Sequence, residues 1–147
     1  MNAKDIISLA RDIKTTWNTN DPYKIAERLG IAVLFRDNCI KGFTAQTFKM
    51  DGYPTIISIN DAYTEFSKKV LCAHELGHAL LHEDCLNHFA VTSKNVSSNV
   101  EKEANLFAIA LLSDYDIDTQ LSMPLENMNN YILKSIMDYN IQLNIKE

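Results

Sequence analysis

The sequence predicts an α+β fold in one domain over residues 1–147: a small, mainly antiparallel sheet packed on one long helix, with further helices around it. The order of the elements leads there. Two helical stretches open the chain, and three short apolar runs separated by turn residues follow. A long helical stretch then carries His74-Glu75-Leu76-Gly77-His78, a further helical stretch bearing two carboxylates succeeds it, and the strands are confined to one block rather than alternating with helices.

Taken in order, Ile6, Ala10, Ile13 and Trp17 repeat at helical spacing and predict an amphipathic helix over residues 3–17. Asp21-Pro22 reads as an N-cap followed by proline in the first turn, and Gly30 as the stop of a short second helix. The runs 31–35, 42–49 and 55–59 predict three strands, with Asp51-Gly52 as the hairpin turn and Pro54 confining the return to its edge. Asn60 or Asp61 is the expected cap of the long helix, which should run from about Ala62 to His82 on a stripe of Phe66, Val70, Ala73, Gly77, Leu80 and Leu81. Residues 83–99 read as a polar loop with an extended piece at 89–92. Val100, Ala104, Phe107, Ala108 and Leu111 mark the inward face of the next helix, and 113–119 an acidic loop. Pro124 should open a last helix on Leu125, Met128, Ile132, Ile136 and Tyr139, and 141–145 alternates as a strand or tail would.

Histidines four apart lie on one helix face, about 5–6 Å apart at Cβ. Two imidazoles so placed can close on one metal ion at about 2.0–2.1 Å. Glu75 then stands beside the metal, where a carboxylate can take a proton from a bound water, as in a zinc peptidase helix. Two solvated histidines on a surface helix would be the bland account, but His74 and His78 flank an apolar stripe and so belong at the margin of the core. Gly77 is a poor helix former and makes sense where another element packs closely beside the metal.

A net charge of −5 and the lack of a basic run speak against direct nucleic-acid binding. No apolar run approaches the length of a membrane span, and no basic segment with an apolar core resembling a signal peptide opens the chain. Cys39, Cys72 and Cys85 are odd in number and form no C-x-x-C, which fits reduced thiols in a cytoplasmic protein.

A catalytic zinc needs a third protein ligand and an open position. Glu101 and Glu103 are the candidates. Glu101 shares a face with Asn105 and Ala108, and Asn105 can support a ligand histidine by a hydrogen bond; Glu103 remains the alternative. His82, one turn after His78, reads as a helix-end histidine favourable to the dipole or as a substrate donor. Cys72 should pack in the core. His88 has no assigned role, and the acids at 114, 116 and 118 lack the glycine and final glutamate of a calcium loop.

The pairing of H-E-L-G-H-A-L-L-H with E-K-E-A-N-L-F-A-x-x-L-L resembles the ImmA/IrrE family of metallopeptidases, from the first strand to about Leu112. That resemblance implies a zincin-like core and zinc on His74, His78 and Glu101, with Glu75 as general base. It also implies a cytoplasmic endopeptidase whose protein substrate is a helix-turn-helix transcriptional repressor of a mobile element or stress response. The chain departs from the family's Leu-Leu-Met-Pro at Leu111-Leu112-Ser113-Asp114, which concerns the turn and not the ligands. The competing expectation is an antirepressor that binds a regulator and inactivates it without cleavage; a metal-stabilised structural domain is a third. Glu75 favours the enzyme, because a structural site has no use for a base there.

Overall fold

The computed structural model of the chain describes residues 2–37, 44–82, 98–113, 123–140 and 146. Helix α1 (Ala3–Trp17) is followed by α2 (Pro22–Arg28), strands β1 (Ala32–Arg36), β2 (Ala45–Phe48) and β3 (Ile56–Asn60), α3 (Glu65–Leu81), α4 (Ser98–Leu112) and α5 (Asn130–Asn140). The fold is α+β, as expected.

Local chemistry sets most boundaries. Asp21 accepts from the Tyr23 amide with Pro22 in the first turn of α2. Gly30, at φ +75°, lets the Ile31 amide donate back to the Ala26 carbonyl and close the helix. Asn18 ends α1 in the left-handed region, the role glycine more often fills. Gly52, at φ +82°, is the third residue of a turn in which the Tyr53 amide donates to the Met50 carbonyl.

The sheet is mixed. β3 lies at its centre, antiparallel to β2 and parallel to β1, with Ala45 opposite Ile59 and Val33 opposite Ile57. The expectation of a mainly antiparallel sheet therefore holds for one of two pairings. β3 slots between two strands consecutive in sequence, and strand periodicity carries no information about partners. As the central strand, β3 buries Ile57, Ser58, Ile59 and Asn60, whereas Leu34 and Phe35 on the β1 edge stay exposed.

Two expectations are corrected. The cap of α3 is Thr64, which accepts from the Ser67 amide, and not Asn60 or Asp61. Asn60 instead turns on the Ala62 amide, and Asp61 pairs with Lys68 at 2.6 Å. Phe66 then falls on the exposed face of α3. Pro124 opens only a 3-10 turn, Leu125–Asn127; Met128 is extended, and Asn129 accepts from the Ile132 amide at the start of α5. That break resets the helical phase, so Leu133 and Met137 face the core fully and Ile132 and Ile136 only partly.

One apolar cluster joins Ile6 and Ala10 of α1, Ile25 of α2, Ile57 and Ile59 of β3, Val70 and Leu76 of α3, Phe107 and Leu111 of α4, and Leu133 of α5. Val100 is only partly buried at the start of α4. Lys14 of α1 donates to the carbonyls of Ala110 and Ser113, closing the C-terminal end of α4. The extended piece at 89–92, the acidic loop, the turn after Ser113, Cys39, Cys85, His88 and the segment 141–145 lie outside the described residues.

Candidate metal centre

The site is built where α3 and α4 come closest. A Cβ placed on Gly77 would stand 3.2 Å from the Ala104 α-carbon, 3.3 Å from its carbonyl oxygen and 3.2 Å from a ring carbon of Phe107. Ala104, Phe107 and Ala108 are fully buried there. A bare backbone on one helix and an alanine on the other let the helices approach, and this brings Glu101, one turn before Asn105, over the histidine face of α3.

His74 and His78 lie one turn apart, edge to face, with ring centroids 4.7 Å apart. Their Nε2 atoms are 3.2 Å apart. Glu101 spans the pair: one carboxylate oxygen is 3.2 Å from Nε2 of His74, the other 3.1 Å from Nε2 of His78. Donors bound at about 2.0–2.1 Å around a tetrahedral ion stand about 3.3–3.4 Å from one another. The observed spacing therefore fits one small cation, and the three residues lie close enough to hold it. Glu101 keeps a third of its side chain exposed, so the cluster is open on one side.

Electrostatics follow from burial. Glu75 is 5% exposed, and burial raises its carboxyl pKa against the opposing pull of His74 and His78. Burial also works to raise Glu101, but its contacts with His74 and His78 outweigh it and hold the carboxyl well below the ordinary range. At His74 burial disfavours the cation, yet the contact with Glu101 and the charge of Glu75 win, leaving its pKa above the ordinary value. Thr47 of β2 donates through its hydroxyl to the Glu75 backbone carbonyl at 3.2 Å, tying the sheet edge to α3 at this point.

Two supporting residues, Asn105 and His82, are buried. Asn105 donates to Oδ1 of Asn130 at 2.7 Å, joining α4 to the first residue of α5. Among the described residues, its Oδ1 and Nδ1 of His74 are both buried without a partner at hydrogen-bond length, and Asn105 nonetheless helps raise the His74 pKa. Glu103 does not join the cluster of donors; it stands 3.4 Å from Nε2 of His82. His82 in turn places Nδ1 3.1 Å from Nδ1 of His78. Its side chain is buried and turned inward, which the sequence reading missed although the spacing of four after His78 was a signal for it. Burial, with His78 beside it, lowers its pKa. Cys72 is fully buried in the core, away from the donor set, and burial raises its thiol pKa.

The sequence pattern of the Peptidase M78 family, described as the IrrE N-terminal-like domain, matches residues 26–131. The chain belongs to this family. Its α+β architecture and a His74, His78 and Glu101 cluster close enough to hold a metal ion accord with that membership. The chain is also similar to a protein of Bacillus phage phi105 described as uncharacterized immunity region protein 2, with 33% identity over 99 residues, 65% of this chain and 60% of that protein. The match thus spans less than two thirds of that relative's length. No solved structure matches the chain at a significant level. Among the described residues, no helix is long and apolar enough to cross a membrane.

Proposed function

We propose that the chain is a zinc-dependent endopeptidase that cleaves a helix-turn-helix transcriptional repressor in the cytoplasm, with His74, His78 and Glu101 as metal ligands and Glu75 as general base. The observation that carries this reading is a set of three donor residues from two helices, with Nε2 of His74 and Nε2 of His78 3.2 Å apart and each within 3.1–3.2 Å of one oxygen of Glu101, beside a buried carboxylate that is not one of them. Two imidazoles and a carboxylate are a donor set that zinc favours. A zinc ion held there would polarise a peptide carbonyl and make a water acidic enough to attack at neutral pH.

The chain's own residues supply the rest. Glu75 accepts the proton of the attacking water and returns it to the leaving amine nitrogen. Its raised pKa suits both halves, since a carboxyl titrating nearer the working pH gives up a proton as readily as it takes one. β2 is paired with β3 on one side, and Thr47 ties it to Glu75. A substrate segment lying extended along the other side of β2 would pass beside the general base, by analogy with strand addition at other sheet edges. We read residues 1–147 as one domain of this kind, because a single apolar cluster joins its first helix, sheet and last helix.

The immunity-region description of the phage relative supports a regulatory protein as substrate. The acidic balance of the chain favours a protein partner over nucleic acid. The test is co-expression with the repressor encoded beside the chain's own gene. The native protein should yield two repressor fragments, and a chelator added to the purified pair should stop their appearance. A repressor left whole by zinc-loaded protein would contradict the substrate assignment.

A further inference from the structure

We propose that His82 is a positioning residue: supported by Glu103, it accepts the Nδ1 proton of His78 and so holds that ring with Nε2 turned to the metal position. The proposal rests on the reading of His74, His78 and Glu101 as metal ligands.

The argument is one of proton placement. Nδ1 of His78 faces Nδ1 of His82 at 3.1 Å, so one of the two atoms must donate and the other accept. Nε2 of His78 faces Nε2 of His74 and Oε1 of Glu101. An imidazole that gives its Nε2 lone pair to a cation carries its proton on Nδ1. Nδ1 of His82 is then the bare acceptor, and the His82 proton sits on Nε2. That nitrogen faces Oε2 of Glu103 at 3.4 Å. Every ring proton along Glu103, His82 and His78 then has one place, and the order of the chain is fixed by which end meets the metal.

The surroundings favour this over the two roles a helix-end histidine usually has. A histidine serving the helix dipole would face water; the His82 ring is buried. One that contacts substrate would point to the open side of the cluster; this one points at the back of His78. The His82 amide also donates to the His78 carbonyl at 2.9 Å, so the closing turn of α3 is braced on His78 by main chain and side chain alike. α4 carries both carboxylates two residues apart: Glu101 reaches the donors, and Glu103 reaches the residue behind them. Both reach α3 across the contact in which Gly77 packs closely on Ala104 of the same α4 helix.

The test measures zinc affinity of the purified protein by competition with a chromophoric chelator, alongside thermal melting of the metal-free forms. His82→Leu removes the acceptor while keeping bulk and should weaken zinc binding about 10- to 100-fold. His82→Asn puts an amide oxygen close to where Nδ1 stood and should restore affinity to within about threefold of native. Glu103→Ala, a change at a partly exposed position, should weaken the native protein about tenfold and add nothing to His82→Asn, whose shorter side chain does not reach it. Native affinity in His82→Leu overturns the proposal. So does His82→Asn binding as poorly as His82→Leu, or Glu103→Ala acting equally in both backgrounds. His78→Ala is the reference: if it binds zinc as the native protein does, the metal-site reading itself falls and takes the proposal with it, whereas loss of zinc in His78→Ala with native affinity in His82→Leu overturns the proposal alone.

Discussion

Ala104 packs so close to Gly77 that a single added carbon on the glycine would meet the Ala104 α-carbon at 3.2 Å. That contact joins the helix of the histidines to the helix of Glu101. Gly77→Ala would gain about 1 kcal/mol of helix propensity. It would also force backbone atoms of Ala104 outward, an overpacking that costs about 1–3 kcal/mol. The expected net result is a loss of about 1 kcal/mol with weakened zinc binding, because Glu101 moves with its helix. Chelator competition and a denaturant melt check both; a Gly77→Ala protein with native zinc affinity would show that the helix spacing does not set the site.

Glu101 and Glu103 should separate cleanly. Glu101 lies within 3.2 Å of both histidines, whereas Glu103 stands beside His82, not at the pair, among the described residues. Glu101→Ala should abolish stoichiometric zinc binding. Glu103→Ala should still bind one zinc, at an affinity reduced about tenfold. Metal analysis after dialysis decides between them, and the reverse ranking would assign the third ligand to the wrong carboxylate.

The metal-free cluster makes stability depend on pH. The Glu101 pKa is lowered from an ordinary 4.5, so its contribution is present above that value and lost as pH falls through the folded pKa. His74 is raised from 6.5, so its contribution is present below 6.5 and lost as pH rises through its folded pKa. The ion pair therefore stabilises the metal-free protein most between the two. The melting difference between native protein and Glu101→Gln, both metal-free, should be largest between pH 4.5 and 6.5 and shrink as pH rises through the raised folded pKa of His74. A difference independent of pH would contradict this assignment. Zinc must displace the His74 proton, so its affinity should rise over the same alkaline range.

Much of the site was legible because it is local. His74, Glu75 and His78 need only the four-residue spacing of one helix, and Gly77 announced a close neighbour by being costly where it stands. Sequence alone favours Glu101 over Glu103 because Asn105 and Ala108 share its face, and the structure brings Glu101, not Glu103, beside His74 and His78. What failed depended on distant or degenerate information. Asn60, Asp61 and Thr64 are all residues that can cap a helix; the choice fell to Thr64 because Asn60 and Asp61 are engaged elsewhere. The parallel pairing of β1 with β3 depends on which strand fills the centre, which periodicity does not encode. Pro124 carried a start signal, but the helix begins only after Asn129 accepts from the Ile132 amide, and the phase of the apolar stripe shifts with it. Sequence alone shows His82 only as a helix-end residue, whereas its burial against His78 and Glu103 is a tertiary fact.

The most direct measurement compares native protein with Glu75→Gln against the same repressor. Glu75 is not among the three close donors, so the variant should retain one zinc and a native melting temperature. It lacks the group that accepts the water proton, so cleavage should fall by at least about 10²–10⁴-fold. Zinc-loaded Glu75→Gln that leaves the repressor whole, beside native protein that cuts it in two, is the predicted result. Glu75→Gln that relieves repression as fully as native protein does, with the repressor intact in both, would contradict the account and leave a protein that acts by binding.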